Sequence, residues 1–346
     1  MTGRAEFYQS HLDKVSRSFA FCIRQLPEPL HDWIGLSYIL CRIVDTIEDS
    51  SWVALEDQLS AFRQFDSALN DPTQTEPLGF WAKSFPLGIP EGEVALLRDA
   101  QILLNDFHQF PPQVHEMIRE LVYSMSLGMQ HFCRQRQNGA LRLSTLGEVN
   151  QYCFFVAGVV GELLAKLVAR VEPKFRLSQL NILRAHHFGL FLQKVNLLKD
   201  QVGDEQLGRH LIPSRERVEE SSQQNATQAL DFLLDVPKEQ LEFRRFCAWS
   251  LFLGLEALSV ARNSMKRNKV LKVPRAEMEN IITNVEFALS DDGALRTLFN
   301  LFAQKLGWPK GVTPASAGPE LPDWLFKLYR GPLNPQSLLE LGITAH

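Results

Sequence analysis

The chain has 346 residues, of which 45% are hydrophobic and 22% are charged, and its formal net charge is −4. This composition is typical of a globular protein with a large core and excludes a wholly disordered chain. The acidic balance and the lack of a Lys/Arg tract argue against a protein that binds the phosphate backbone of nucleic acids. The five cysteines have no CxxC spacing, which argues against a structural zinc site or a disulfide framework and favours a reducing compartment.

Long proline-free stretches with apolar residues three or four positions apart predict helices along most of the chain. In chain order, the predicted helices span residues 6–20, 29–49, 53–69, 92–107, 112–137, 145–170, 176–204, 223–234, 238–267 and 275–304. Alternating strand patterns and repeat periods are missing, so the sequence predicts a single all-α domain over residues 1–306. Residues 307–346 form a tail punctuated by proline and glycine, which we expect to pack loosely.

Neither a signal peptide nor a membrane span is expected from the sequence. The first fifteen residues mix charged and polar side chains. The apolar stretch 152–169 is interrupted by Glu162 and Lys166. We therefore expect a cytoplasmic protein with at most peripheral membrane contact, for which the Trp324-Leu325-Phe326 cluster of the tail is the candidate.

Two of the predicted helices carry a polar stripe within an otherwise apolar sequence. On helix 29–49, spacings of 4, 3 and 4 place four residues on one face, namely Tyr38, Arg42, Asp45 and Asp49. On helix 176–204, spacings of 3, 4 and 4 do the same for Gln193, Asn196, Asp200 and Asp204. Buried charges are usually paired or bound to a metal, and carboxylates suit Mg²⁺ with substrate phosphates as its other ligands. The sequence favours such a site over two solvated helix faces.

The predicted helix 145–170 is apolar nearly all round, which is typical of a helix buried in the middle of a domain. One of its faces carries only small residues, namely Ala157, Gly158, Gly161 and Ala165. Such a face lets another group approach the backbone closely. Tight helix packing and a ligand-lined wall are equally compatible with this pattern.

These stripes resemble the aspartate-rich motifs of the squalene and phytoene synthases. Residues 45–49 match the DxxED element of that family, and residues 196–204 match its second aspartate motif. Residues 16–20 and 152–161 are similar to its N-terminal and central signatures. The segment 189–196 resembles the eukaryotic squalene synthase branch more closely than the carotenoid branch.

The resemblance extends over about residues 8–305 and implies an all-α isoprenoid (terpenoid) synthase fold with a central cavity. It also implies that two farnesyl diphosphates are joined head to head into presqualene diphosphate, which squalene synthases reduce to squalene with NADPH. No obligatory partner is implied, so a monomer is expected. Mg²⁺ would be held by the carboxylates of Asp45, Glu48, Asp49, Asp200 and Asp204.

The same resemblance implies roles for further residues. Tyr152 aligns with the catalytic tyrosine of the family and is expected to act together with the four motif aspartates. Substrate contacts are expected from Ser16, Ser18, Phe19, Tyr38, Arg42, Val156, Gln193, Asn196, Arg209 and Phe246. The NADPH phosphates are expected at Arg17, Arg42, Lys199, Lys272 and Arg275.

Two positions depart from the family pattern, and both concern the nicotinamide cofactor. Lys199 stands where the family usually has arginine, so the bidentate phosphate geometry is lost. Pro274 falls where a basic residue is expected, and Arg275 would substitute for it after a shift of one position. A non-reductive member that makes presqualene diphosphate, dehydrosqualene or phytoene is therefore the alternative. A non-catalytic prenyl-lipid binder is a further alternative, against which the intact aspartates argue.

Overall fold

Helices make up almost all of the regular structure, and the all-α class predicted from the sequence is confirmed. The computed structural model describes residues 2–136, 139–267, 272–308, 325, 328–329, 331–332 and 341. Within these ranges the only β pairing is an isolated bridge between Arg142 and His210. The chain divides into two compact units, unit 1 (Met1–Gln135) and unit 2 (Arg136–His346).

Unit 1 is built around a central helix, α3, which packs against α1, α5 and α6. Its apolar residues Ile39, Leu40 and Ile43 are completely buried. The helices of the unit are α1 (Thr2–Val15), α2 (Arg17–Ile23), α3 (Leu30–Asp49), α4 (Leu55–Asn70), α5 (Glu91–Phe107) and α6 (Pro112–Arg134), with 3₁₀ segments at Pro72–Gln74 and Glu76–Ser84. The single helix predicted over 6–20 is wrong, because the Ser16 side chain accepts a hydrogen bond from the Phe19 N–H (3.3 Å) and starts α2 there.

Unit 2 is built around α9, which packs against α8, α10 and α11. Its helices are α7 (Leu146–Cys153), α8 (Val159–Val171), α9 (Gln179–Gln206), α10 (Arg215–Asp235), α11 (Leu241–Arg267), α12 (Arg275–Ala288) and α13 (Asp292–Lys305). A π-helical turn, Phe154–Gly158, joins α7 to α8.

Three predicted helices of unit 2 need correction. The helix predicted over 145–170 is interrupted by the π turn, which apolar periodicity does not reveal. The helix predicted over 275–304 is two helices, because Asp291 accepts hydrogen bonds from two backbone N–H groups and starts α13. The helix predicted over 223–234 starts eight residues earlier, after the Ser214 cap.

The continuous stretch Leu146–Val171 is long and apolar enough to span a membrane by length and composition, with a mean hydropathy of 1.8 in its best window. It contains the stretch 152–169, for which Glu162 and Lys166 argued against a membrane span. In the structure 78% of that window is buried inside the protein. Glu162 and Lys166 pair with each other at 2.7 Å. The stretch is therefore a core element of unit 2.

Three of the described residues near the C-terminus are buried. Leu325, Tyr329 and Leu341 are all less than 5% exposed. The expectation of a loose tail is thus wrong for these residues, and Leu325 is not available to a membrane. Trp324 and Phe326, the other members of the proposed membrane cluster, lie outside the described residues.

The small-residue face of unit 2 serves close helix packing, one of the two alternatives that the sequence left open. A Cβ atom on Gly161 would lie 1.9 Å from the Ala185 carbonyl oxygen, and one on Gly189 would lie 2.0 Å from the Ala157 carbonyl oxygen. No side chain fits at either position. The backbones of α8 and the π turn therefore lie directly against α9.

A buried lysine adds a polar constraint to the contact between α9 and α10. The Nζ atom of Lys194 is completely buried and donates to Ser221 Oγ and Asn225 Oδ1, both at 2.6 Å. Asn225 in turn donates from Nδ2 to His187 Nδ1 (2.8 Å). Burial lowers the pKa of Lys194 to about 8. These bonds fix the rotation of α9 about its axis relative to α10. In another rotation the buried donors Lys194 Nζ and Asn225 Nδ2 would lose their acceptors, which is costly.

We expect Gly189→Ala to lower the free energy of unfolding by about 1–3 kcal/mol, because the added methyl group collides with a backbone carbonyl. Gly203→Ala on the same helix is the matched control. A Cβ atom there meets nothing within 4 Å, so alanine should raise stability slightly through helix propensity. Chemical denaturation of both variants measures the difference, and equal effects would contradict the close approach.

We expect the free-energy difference of unfolding between the wild type and Lys194→Met to depend on pH. From pH 8 to 10.5 folded Lys194 is neutral while unfolded lysine still binds a proton, so its contribution to stability rises with pH. From pH 7.5 to 9.5 the difference should grow in favour of the wild type by about 2 kcal/mol. Lys238→Met, at an exposed position, should show no such trend. A pH-independent difference for Lys194→Met would show that Lys194 keeps an ordinary pKa.

Candidate active site

The carboxylates of the first motif lie at the C-terminal end of α3, which ends at Asp49 and has no basic residue in its last turn. The helix macrodipole places partial negative charge at this end, so carboxylates there are destabilised unless a cation is present. The last turn itself supplies no cation, so positive charge must come from Arg42 one turn earlier or from a bound ion.

The three acidic side chains of this motif have different environments. Asp45 is half-buried and Asp49 is exposed on the same face, whereas Glu48 is 4% exposed and rotated by about 100° from Asp49. Burial raises the pKa of Asp45 to about 7, with the Arg42 guanidinium opposing the rise and the Asp49 carboxylate adding to it. A cation bound at this face would favour the ionised form of Asp45.

Arg42 is fixed by two carboxylates of unit 1. Its Nη2 atom lies 2.8 Å from Glu93 Oε1 on α5, and its Nη1 atom lies 3.4 Å from Asp45 Oδ2. Its Nε atom is buried and has no hydrogen-bond partner. Glu93 was not predicted, because nothing in the sequence links it to a residue 51 positions away.

The predicted substrate residues of the N-terminal signature lie beside the α3 stripe. The side chain of Ser16 is within hydrogen-bonding distance of the Tyr38 hydroxyl, and the rings of Phe19 and Tyr38 are 5.5 Å apart. Burial raises the pKa of Tyr38 to about 12, so its hydroxyl keeps its proton. The side chains of Arg17 and Ser18 lie outside the described residues.

The second motif lies at the C-terminal end of α9, where the last turn again has no basic residue. Asp200 is exposed, whereas Asp204 is buried and lies 2.7 Å from Arg209 Nη2. Gly208 adopts a positive φ of 79° in the turn after the helix, which brings Arg209 back onto Asp204. The structure therefore brings together two predicted residues, Asp204 and Arg209, and Arg209 holds the Asp204 carboxylate in place.

The predicted cofactor cations of unit 2 are exposed. Lys199 Nζ lies 3.3 Å from Asn196 Oδ1 and 3.4 Å from Asp200 Oδ2. Lys272 is exposed, and Arg275 is 93% exposed beside Glu279. In the described ranges these cations suit the phosphates of a dinucleotide, but they do not enclose a nicotinamide ring.

Tyr152 is buried in α7, one residue before its end, and the π turn follows it directly. Within that turn Phe155 is completely buried and Val156 is half-buried. Gln193 on α9 is also half-buried. Phe246, another predicted substrate residue, is buried on α11 with its ring 5.9 Å from Phe243. A π turn is rare in helices and is often found at functional sites.

The donor set of the two motifs fits a hard divalent cation. Carboxylate oxygens are the ligands that Mg²⁺ prefers, and it usually takes one or two of them together with phosphate oxygens. Within the described ranges, three side chains lie close enough together to ligate one ion without a substrate, namely Glu28, His31 and Asp32. This cluster does not include the motif carboxylates. The motif carboxylates therefore suit a cation that shares its ligands with a bound diphosphate. They suit a cation held by protein ligands alone less well.

A cavity of about 500 Å³ in unit 2 lies apart from these predicted residues. Its walls come from α10, α11 and the residues that follow α13, and they consist of Arg215, Glu216, Glu219, Glu220, Gln223, Arg262, Gly307 and Trp308. Both arginines pair with Glu219. None of the residues predicted to bind substrate, metal or cofactor contributes to these walls.

Two yeast squalene synthases are similar to this chain in sequence. The squalene synthase ERG9 of Candida albicans is 32% identical over 204 residues, which are 58% of this chain and 44% of the relative. Its counterpart in Saccharomyces cerevisiae is 32% identical over 225 residues, 64% of this chain and 47% of the relative. The chain thus spans less than half the length of these relatives.

Solved structures show the same fold. A structure of TcSQS with the ligand E5700 aligns with a TM-score of 0.67 at 21% identity, covering 98% of both chains. A dehydrosqualene synthase in complex with a ligand aligns with a TM-score of 0.56 at 18% identity, covering 83% of this chain and 97% of the other. The expected terpenoid synthase fold is confirmed by these matches.

The family model for squalene/phytoene synthase matches residues 12–273, well over half of the chain. Both aspartate motifs, Tyr152 and the π turn lie within the matched range. The chain therefore belongs to the squalene/phytoene synthase family.

Proposed function

We propose that this chain is a squalene synthase, an Mg²⁺-dependent farnesyltransferase that joins two farnesyl diphosphates into presqualene diphosphate and reduces it to squalene with NADPH. The observation that carries the proposal is shared by α3 and α9. Each helix has its motif aspartates near its C-terminal end and no basic residue in its last turn. The relatives named as squalene synthases support the choice of substrate.

The motif carboxylates would bind Mg²⁺, which supplies positive charge to the leaving diphosphate. On α3, Asp45 and Asp49 face the same side and are the candidate ligands, while buried Glu48 lies beneath them. On α9, exposed Asp200 is the candidate ligand, and Asp204 is held in place by Arg209. A cation at either helix end also offsets the negative end of the macrodipole.

Neutral and cationic side chains near these carboxylates would orient the diphosphate oxygens. In unit 1 the Tyr38 hydroxyl keeps its proton and donates, and Arg42 presents a guanidinium already fixed by Glu93. In unit 2 the amides of Gln193 and Asn196 are half-buried on the motif helix. Side chains held in advance lose little freedom when the substrate binds.

Loss of the diphosphate leaves an allylic cation that water would quench, so the isoprenoid chains need dry, unreactive walls. The π turn after Tyr152 supplies apolar side chains, including Phe155 and Val156. Tyr152 would assist proton removal during cyclopropane closure. Since a tyrosine with a pKa of about 10 is a weak base at neutral pH, the released pyrophosphate would share this task.

The reductive half of the proposal rests on three exposed cations of unit 2. Lys199, Lys272 and Arg275 would contribute charge to the NADPH phosphates. A non-reductive family member is the alternative that the experiments below distinguish.

We further propose that the protein acts as a cytoplasmic monomer with at most peripheral membrane attachment. Because Leu325 is completely buried, the Trp324–Phe326 cluster does not present all three of its apolar side chains to a membrane. Sedimentation of the purified protein and flotation with liposomes measure these two properties.

We expect Asp49→Asn and Asp200→Asn each to reduce presqualene diphosphate formation by about 100-fold or more, because each loses a charge that binds the metal–diphosphate. Product analysis after incubation with farnesyl diphosphate and Mg²⁺ measures this rate. Asp57→Asn and Glu205→Gln change exposed carboxylates near the motifs and serve as controls that should retain the rate. Near-wild-type condensation in either motif variant would overturn the metal assignment.

We expect the wild type to form squalene with NADPH and presqualene diphosphate or unreduced products without it. Lys272→Ala should raise the NADPH concentration needed for squalene, with farnesyl diphosphate consumption little changed. Lys174→Ala, which changes another exposed lysine of unit 2, is the control. The measurement is the ratio of squalene to presqualene diphosphate over a range of NADPH concentrations. Identical products with and without NADPH would assign the chain to the non-reductive branch.

A further inference from the structure

A buried polar cluster in unit 2 joins the C-terminal tail to α8 and α9. The Tyr329 hydroxyl donates to Glu162 Oε2 at 2.6 Å, and His186 Nε2 lies 3.0 Å from the same oxygen. Lys166 Nζ lies 2.7 Å from the other carboxylate oxygen. Glu162 and His186 are completely buried, and Tyr329 is 4% exposed.

The carboxylate at the centre of this cluster is ionised. Burial by itself would raise the pKa of Glu162, but the hydrogen bond from His186 and the charge of Lys166 outweigh it and lower the pKa to about 2. The Tyr329 hydroxyl therefore donates to a charged acceptor, and such bonds are shorter and stronger than bonds between neutral groups. Removing this donor would leave a buried charge with less compensation.

The same cluster contacts the π turn through Phe154, the first residue of that turn. The Phe154 ring stacks on His186 at a centroid distance of 4.9 Å and meets Tyr329 edge-on, also at 4.9 Å. Phe154 is completely buried and lies two positions after Tyr152. The tail tyrosine thus contacts the helical turn that begins two residues after the proposed catalytic tyrosine.

A π turn replaces the i→i+4 hydrogen bonds of an α-helix by i→i+5 bonds. We infer that contacts around the turn help to set the register of the helices on either side of it. On its α9 side, the turn is fixed by the close approach of Gly189 to the Ala157 carbonyl. At Phe154, it is held by His186 and Tyr329. The tail is anchored by completely buried Leu325, whose carbonyl accepts from the Tyr329 N–H (2.8 Å).

We propose that Tyr329 is a positioning residue: together with Leu325 it forms a strap that holds the π turn in register and thereby places Tyr152 for the condensation. This inference rests on the proposed function for the role of Tyr152. The strap itself does not depend on that role. No local sequence pattern marks Tyr329, because its partner Glu162 is 167 positions away.

The test is Tyr329→Phe, which removes the hydroxyl and retains the ring against Phe154. We expect kcat for presqualene diphosphate formation to fall about 10-fold at an unchanged KM for farnesyl diphosphate, because a small misplacement of a catalytic group affects the reaction more than binding. Amide hydrogen exchange in peptides covering residues 152–160 should rise. Tyr8→Phe is the matched control, since Tyr8 is also a buried tyrosine that donates to a carboxylate, Asp106 Oδ2 at 3.1 Å in unit 1.

The control should lose stability without a change in kcat or in exchange over residues 152–160. Unchanged exchange over that segment in Tyr329→Phe overturns the strap, whatever happens to the rate. Raised exchange with an unchanged kcat overturns the positioning role. If the wild type has no condensing activity, the proposed function fails while the exchange measurement still decides the strap.

Glu162→Gln supplies a second variant in case Tyr329→Phe does not fold. It retains an oxygen that accepts from Tyr329 but removes the charge that shortens the bond. Exchange over residues 152–160 should rise in this variant also, and no rise would contradict the proposal.

Discussion

The architecture of unit 2 depends on the direct contact between the backbone of α9 and the backbones of the π turn and α8. Gly161 and Gly189 each face a carbonyl oxygen at a distance that leaves no room for a Cβ atom. Close backbone contact fixes both the separation and the rotation of the elements, because interiors are packed at nearly crystalline density. The positions of Tyr152 and of the second aspartate motif follow from this contact.

Buried charges add specificity to the apolar packing of unit 2. Lys194 is satisfied by neutral oxygens of α10, and Glu162 is satisfied by His186, Lys166 and Tyr329. A buried polar group is costly in any register in which its partners are missing. These groups therefore select one arrangement of helices that apolar side chains alone would specify less narrowly.

The C-terminal ends of α3 and α9, which carry the aspartate motifs, differ from these buried groups. There, like charges collect at the negative end of a helix without a basic residue in the last turn. Such an arrangement costs stability unless cations offset it, and Arg42 and Arg209 do so for one carboxylate of each motif. Each motif thus combines acidic groups with a cation that the fold holds in place: Arg42 is held by Glu93 in unit 1, and Arg209 pairs with Asp204 in unit 2.

The sequence by itself determined the helical class, the two polar faces and the family, because helix periodicity and motif spacing are local properties of single helices. It did not determine the breaks at Ser16 and Asp291, the π turn or the packing of the tail. Tertiary structure alone decided the partners Glu93 and Tyr329, which lie 51 and 167 positions from the residues that they bind. Such pairs depend on which helices pack together. A local sequence pattern does not specify the packing partner of a helix, because the attraction between apolar surfaces is non-directional.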